Sequence, residues 1–155
     1  MQELRGDIFR IAENMVKKGM PLLAILFTAN RQCKANGSLV MGAGIAKEFR
    51  DRFPGLDKEC GKKMPGPYCN LVQNFNLSYW LGFFCTKDHW KNPSTLEIIE
   101  RSCIDLKGIM EAFPEKYVLM TRPGCGLGGL NWETEVKPLL LKYFNDTKYL
   151  VIVTR

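Results

Sequence analysis

The stretch LLAILFT, residues 22–28, is an unbroken apolar run of strand length. A strand with one face in water alternates apolar and polar side chains, whereas a run without polar interruption belongs to a strand covered on both faces. Such strands sit in parallel sheets, whose crossover connections are usually helices that also cover the faces. This one segment therefore points to an α/β chain with a mixed, mostly parallel sheet sandwiched between helices.

The rest of the chain supplies the alternation this requires. Residues 2–5 read as a short first strand ended by Gly6-Asp7, and residues 9–18 as a helix closed by Gly19. A polar, glycine-containing loop covers residues 30–38. A helix over 43–53 stops at Pro54-Gly55, and a short helix covers 56–63. Neighbouring strands are expected at 68–75 and 80–85, joined by a turn around Asn76 and Ser78. Pro93-Ser94 opens the longest helix, whose stripe is Leu96, Ile99, Cys103, Leu106 and Met110. A strand over 117–121 follows. Trp132, Val136, Leu139, Leu140 and Tyr143 mark one helix face with a bend at Pro138, and residues 149–153 form a last buried strand.

With 155 residues and no linker or repeat, a single domain over residues 1–155 is expected. No apolar run approaches the roughly 20 residues that span a membrane, and MQELRGDIFR has no secretory apolar core. The expectation is a cytoplasmic monomer with no membrane contact. Of the six cysteines no two are spaced C-x-x-C, and the single His89 is not placed for zinc, so no metal is assigned. The net charge of +6 favours anionic partners, although a lysine-rich surface also serves solubility alone.

Two glycine-bearing loops carry the chemistry. One is VMGAGIA, residues 40–46, and the other is RPGCGLGGLNW, residues 122–132; each lies before a helical pattern. Glycine lets backbone N–H groups approach a phosphate, and a helix N-terminus adds its positive dipole end. The second loop formally matches the dinucleotide fingerprint, but no strand ending in an acidic residue follows about 20 residues later. A Walker A sequence is absent too. Two such loops in one small domain suggest a diphosphate gripped from two sides; a pair of tight turns is the alternative.

These motifs stand in the order found in the macro domain family, the ADP-ribose-binding α/β fold, and the chain resembles it over nearly its whole length. GDIF (6–9), LFTAN (26–30) with MGAGIAKEFRDRFP (41–54), and RPGCGLGGLNW are the segments that resemble it. The stretch FFCTKDHWKNPSTLEIIE (83–100) is similar to the lysine-bearing segment of the branch that holds the DarG antitoxins and the terminal ADP-ribose protein glycohydrolases. The resemblance implies an ADP-ribosyl glycohydrolase acting at the distal ribose, on DNA in preference to protein. A reader that binds without turnover, or a phosphatase acting on ADP-ribose 1″-phosphate, are the alternatives. No cofactor is implied, because preorganised N–H groups balance the diphosphate.

Residue by residue, the resemblance puts the catalytic lysine at Lys87. Asp7 and Ile8 fall on the adenine contacts and Asn30 on the distal ribose. Met41, Gly42, Gly44, Ile45 and Ala46 form the first binding loop. Gly124, Cys125, Gly126, Leu127, Gly128 and Gly129 form the second. Gly128 stands where the protein glycohydrolases carry an aspartate and the DarG-like sequences a glycine; the expectation is that it leaves room beside the ribose. From the residues alone, Asp7 suits a helix cap, Asn30 a turn, Lys87 the solvent and His89 a structural role. A lysine nucleophile must also shed its proton, with His89 and Trp90 as neighbours.

Overall fold

The computed structural model describes residues 1–155. Six strands, β1 (Gln2–Arg5), β2 (Leu22–Ala29), β3 (Cys69–Gln73), β4 (Trp80–Cys85), β5 (Tyr117–Thr121) and β6 (Leu150–Thr154), form one sheet in the order β1-β6-β5-β2-β4-β3. Every pairing is parallel except β3 with β4. The helices are α1 (Ile8–Lys17), α2 (Gly44–Arg52), α3 (Leu56–Gly61), α4 (Leu96–Ala112) and α5 (Lys137–Phe144).

The expected coverage of β2 is what the chain achieves. Ile25, Phe27 and Ala29 join an apolar cluster with α1, α2 and α3, while Ala24 and Leu26 join another with α4 and α5. On the first face Phe49 of α2 is fully buried and lies with its ring centroid 5.0 Å from that of Phe9 and 5.2 Å from that of Phe27. Truncating such a residue to alanine costs about 3–5 kcal/mol. The position of α2, and of the loop before it, is thus set from the core.

The last helical run opens with a π-helical turn over Trp132–Val136 and passes directly into α5, with Pro138 at the join. Two expectations are corrected. Helix α4 opens after Thr95, whose hydroxyl accepts from the Ile98 N–H, and not at Pro93-Ser94. Leu96 is exposed and Met110 only half-buried, so the buried stripe is Ile99, Cys103 and Leu106.

The edge strand β1 is tied to the π-helical turn through Glu3. Its carboxylate accepts a hydrogen bond from Trp132 Nε1 at 2.9 Å and pairs with Lys137 Nζ at 2.8 Å and Arg122 Nη2 at 3.6 Å. The Lys137 hydrogen bond leads in holding the Glu3 carboxyl below the usual carboxylate range; partial burial opposes it, and Trp132 and Arg122 add to the lowering. A carboxyl lowered on folding stabilises fully above its unfolded-state value, about 4.3. That contribution is lost as pH falls through the lower folded-state value. Glu3→Gln should therefore lower the melting temperature at pH 7 by about 1–3 °C. Thermal melts of both proteins should converge as the pH drops to about 3; a difference that persists unchanged there would refute the ionic origin.

Candidate functional site

A cleft of about 1530 Å³ opens over the carboxyl ends of β2, β4, β5 and β6, the position where open α/β sheets bind ligands. Both glycine loops line it, as do Asn30, Lys87 and Arg155.

The first loop runs into the N-terminus of α2. Helix α1 is capped by Asp7 and α4 by Thr95, but Ala43, the residue before α2, provides no side-chain cap. The N–H groups of Gly44, Ile45 and Ala46 have no acceptor within the protein, and all three residues line the cleft. Free donors at a helix N-terminus, aligned with its dipole, suit an anion. Gly44 adopts φ +59°, a left-handed conformation that glycine takes without steric cost. Met41 is a different matter: it is 1% exposed, belongs to the core and does not line the cleft.

The second loop leaves β5 at Thr121. The N–H groups of Cys125, Gly126, Leu127 and Gly128 also donate to nothing in the protein. Leu127 is 75% exposed and reaches across to Gly44, so the two loops meet over the cleft. Gly126 has open space around its α-carbon and an ordinary φ, so the left-handed positions are Gly124 and Gly129 instead. Partial burial pushes the Cys125 thiol up to about 11, which keeps it protonated.

Packing gives Gly128 a reason of its own to be glycine. A Cβ there would lie 2.1 Å from Ser94 Oγ and 2.7 Å from the Gly124 carbonyl oxygen. The Ser94 N–H donates to the Gly128 carbonyl at 3.1 Å, and the Ser94 hydroxyl donates to Thr86 Oγ1 at 3.1 Å. Ser94 and Thr86 are both buried. The loop is thereby clipped to the segment that carries Lys87, one residue beyond Thr86. Lys87 is half-buried in the wall of the cleft.

Asn30 acts as the turn residue its composition suggests: its Oδ1 accepts from the Gln32 N–H at 2.8 Å, and its Nδ2 donates to the Val40 carbonyl at 3.0 Å. One donor and one acceptor position of its amide are left over for the cleft. Asp7 caps α1 with one carboxylate oxygen. Its Oδ1 accepts from the N–H groups of Phe9 at 2.9 Å and Arg10 at 3.2 Å, while Oδ2 lies 3.5 Å from Arg155 at the rim. Burial alone would raise its pKa, but those N–H groups, with Arg155 and Arg52, hold it below the usual carboxylate value. Ile8 lines the cleft. His89 does not; its Nδ1 accepts from the Lys91 N–H at 3.1 Å, a structural role.

Sequence reasoning missed Ser94, Thr86, Arg122 and Arg155. Arg155 pairs with Glu48 of α2 as well as with Asp7. The rule that ligands gather at strand carboxyl ends, applied to the last strand, was signal enough to find Arg155. No group of three or more His, Cys, Asp or Glu side chains is placed to hold a metal ion, and no helix is long and apolar enough to cross a membrane.

No protein-family model matches the chain. Among curated relatives, a DNA ADP-ribosyl glycohydrolase of Mycobacterium tuberculosis is 34% identical over 115 residues, or 69% of this chain. The match spans 32% of that protein, so the chain corresponds to about a third of the length of the curated relatives it matches. Among solved structures, the macrodomain of Mycobacterium tuberculosis DarG aligns with a TM-score of 0.75 and 27% identity, covering 99% of this chain and 98% of that one. Thermosipho africanus DarTG in complex with ADP-ribose aligns with a TM-score of 0.68 and 26% identity, over 86% of this chain and 38% of the other.

Two glycine substitutions separate folding from binding. Gly128→Ala forces a methyl group into Ser94 and should lower both the melting temperature and the affinity for ADP-ribose. Gly126→Val meets open space, so melting should change little while ADP-ribose affinity falls at least about tenfold, a loss of about 1.4 kcal/mol. Calorimetric titration beside thermal melts would show this. Normal binding by a folded Gly126→Val protein would remove the second loop from the site.

Proposed function

The chain belongs to the macrodomain family and resembles its DarG members over its whole length, and from that premise we propose that it removes ADP-ribose from DNA by hydrolysis at the distal ribose. The observation that carries the reading is the shared wall: Lys87 lines the same cleft as two loops of free N–H donors. A binding module needs only the loops, whereas a lysine held beside them by the Ser94 clip gives the cleft a reactive group.

The division of labour follows from the geometry. The N-terminus of α2 and the second loop face the diphosphate, where fixed donors need no reorganisation as charge shifts. Asn30 offers its remaining amide positions to ribose hydroxyls. Asp7 Oδ2 and the backbone at Ile8 meet the adenine end. Lys87 acts at the anomeric carbon. As nucleophile its neutral amine bonds to that carbon while the bond to the DNA base breaks. The base takes a proton, and water then replaces the amine to release ADP-ribose. The protonated thiol of Cys125 lines the loop without competing for this role.

The six thiols are unpaired, which suits a reducing compartment such as the cytoplasm.

Lys87→Ala should lower turnover of an ADP-ribosylated oligonucleotide at least about 100-fold while ADP-ribose affinity stays within about threefold. Release of free ADP-ribose, followed from modified oligonucleotide and from ADP-ribosylated protein, is the measurement. Turnover of the oligonucleotide should also weaken as salt rises. Full activity of Lys87→Ala would overturn the mechanism, turnover of protein alone would overturn the DNA assignment, and binding without turnover by the parent chain would leave a reader.

A further inference from the structure

Beside Lys87 the cleft wall carries Trp90, half its surface exposed. An exposed indole costs solubility and stability, and the surroundings hold this one in place. The Arg31 N–H donates to the Asp88 carbonyl at 3.1 Å before it, and the Ser94 N–H is bonded to Gly128 after it. Between these anchors the Asn92 N–H donates to the His89 carbonyl at 3.0 Å, closing a tight turn. The His89 ring stacks on Trp90 at 5.6 Å with 25° between planes. Lys91 Nζ lies 5.1 Å from the indole centroid.

A flat aromatic surface with an adjacent cation, presented on a braced turn, has the chemistry that receives nucleobases: stacking on the ring and attraction of the neighbouring phosphate. The cleft has space for it. Ordinary ligand pockets measure about 300–1,000 Å³, and this one exceeds that range at about 1530 Å³. The charge is complementary on balance: Lys87, Lys91, Arg122 and Arg155 line the cleft against Glu48, which pairs with Arg155, and Glu133, and the chain carries a net +6. The exposed carboxylate of the turn, Asp88, faces Arg31 at 3.9 Å.

We infer that Trp90 and Lys91 form a subsite for the unstacked base next to the modified nucleotide of single-stranded DNA, with Trp90 as the stacking surface and Lys91 at the intervening phosphate. The inference rests on the DNA reading of the cleft and deepens it: the enzyme would recognise a strand, and not only the ADP-ribosylated base.

The test compares one ADP-ribosylated base in two settings, within a single-stranded oligonucleotide and as the isolated nucleoside. Trp90→Ala should lower kcat/KM for the oligonucleotide about tenfold more than for the nucleoside, and Trp90→Phe should restore most of that preference. A structural role for Trp90 would lower both substrates equally, and that result overturns the subsite. Unchanged turnover of both substrates overturns it as well. So does a preferential loss on an ADP-ribosylated peptide, which would make this face a protein site.

A second measurement needs no turnover. Anisotropy of a labelled, unmodified oligonucleotide with ADP-ribose-saturated protein should show binding that weakens about tenfold in Trp90→Ala and less in Trp90→Phe. Trp90-dependent binding without hydrolysis by the parent chain would keep the subsite and remove the glycohydrolase reading. Hydrolysis with Trp90-independent binding would do the reverse.

Discussion

The close approach of Gly128 to Ser94 governs how this site is assembled. Glycine at 128 has no side chain to hold the loop away, so its backbone comes close enough for its carbonyl to accept from the Ser94 N–H. Ser94 in turn bonds Thr86, and Thr86 bonds back to β2 through its N–H to the Ala29 carbonyl. One chain of contacts thus runs from the second glycine loop, past Lys87, to the strand at the middle of the sheet. The second loop and the segment that carries Lys87 are tied to one frame. This matters because a misplacement of about 1 Å can cost two orders of magnitude in rate. An aspartate at this position would have no space unless the loop lifted off Ser94.

Much of this was legible in the sequence, and the reasons differ by element. The apolar run of β2 announced its burial because both faces of a parallel strand need apolar side chains, and Ala24, Ile25, Leu26 and Phe27 are fully buried. The two loops were legible as backbone that leaves a strand and enters a helix, because glycines cluster between those two patterns. Met41 was misread because resemblance gives a position and not a direction: its neighbours face the cleft while its side chain completes the core. Both readings of Asp7 were in the sequence, and its Oδ1 takes the capping one by accepting from the nearest free N–H groups, those of Phe9 and Arg10. The π-helical turn at Trp132–Val136 has no local signature in the sequence, and the Glu3 bond that accompanies it spans 129 residues. The packing reason for glycine at position 128 was not legible, because the atom that excludes a side chain belongs to a residue 34 positions earlier.

The two loops also differ in how they are held. The first is anchored from beneath: Phe49 packs between Phe9 and Phe27, so the free N–H groups at the start of α2 are fixed by the core. The second is anchored from the side, by the Ser94 clip and by Arg122 and Trp132, which share Glu3. Leu127 bridges the gap between them and is largely in water. A side chain in that position gives the cleft a movable edge between two fixed ones.

Strand β6 lies between β1 and β5, yet it is the last strand in the sequence. During folding the slot for β6 stays open until that strand docks, and β1 has no partner in the meantime. Pairings across such sequence distances form slowly and leave strand edges exposed while they wait. Val153, Thr154 and Arg155, which close one end of the cleft, are also the final residues of the strand and its exit. That end of the cleft therefore takes shape only once β6 has entered between its two neighbours.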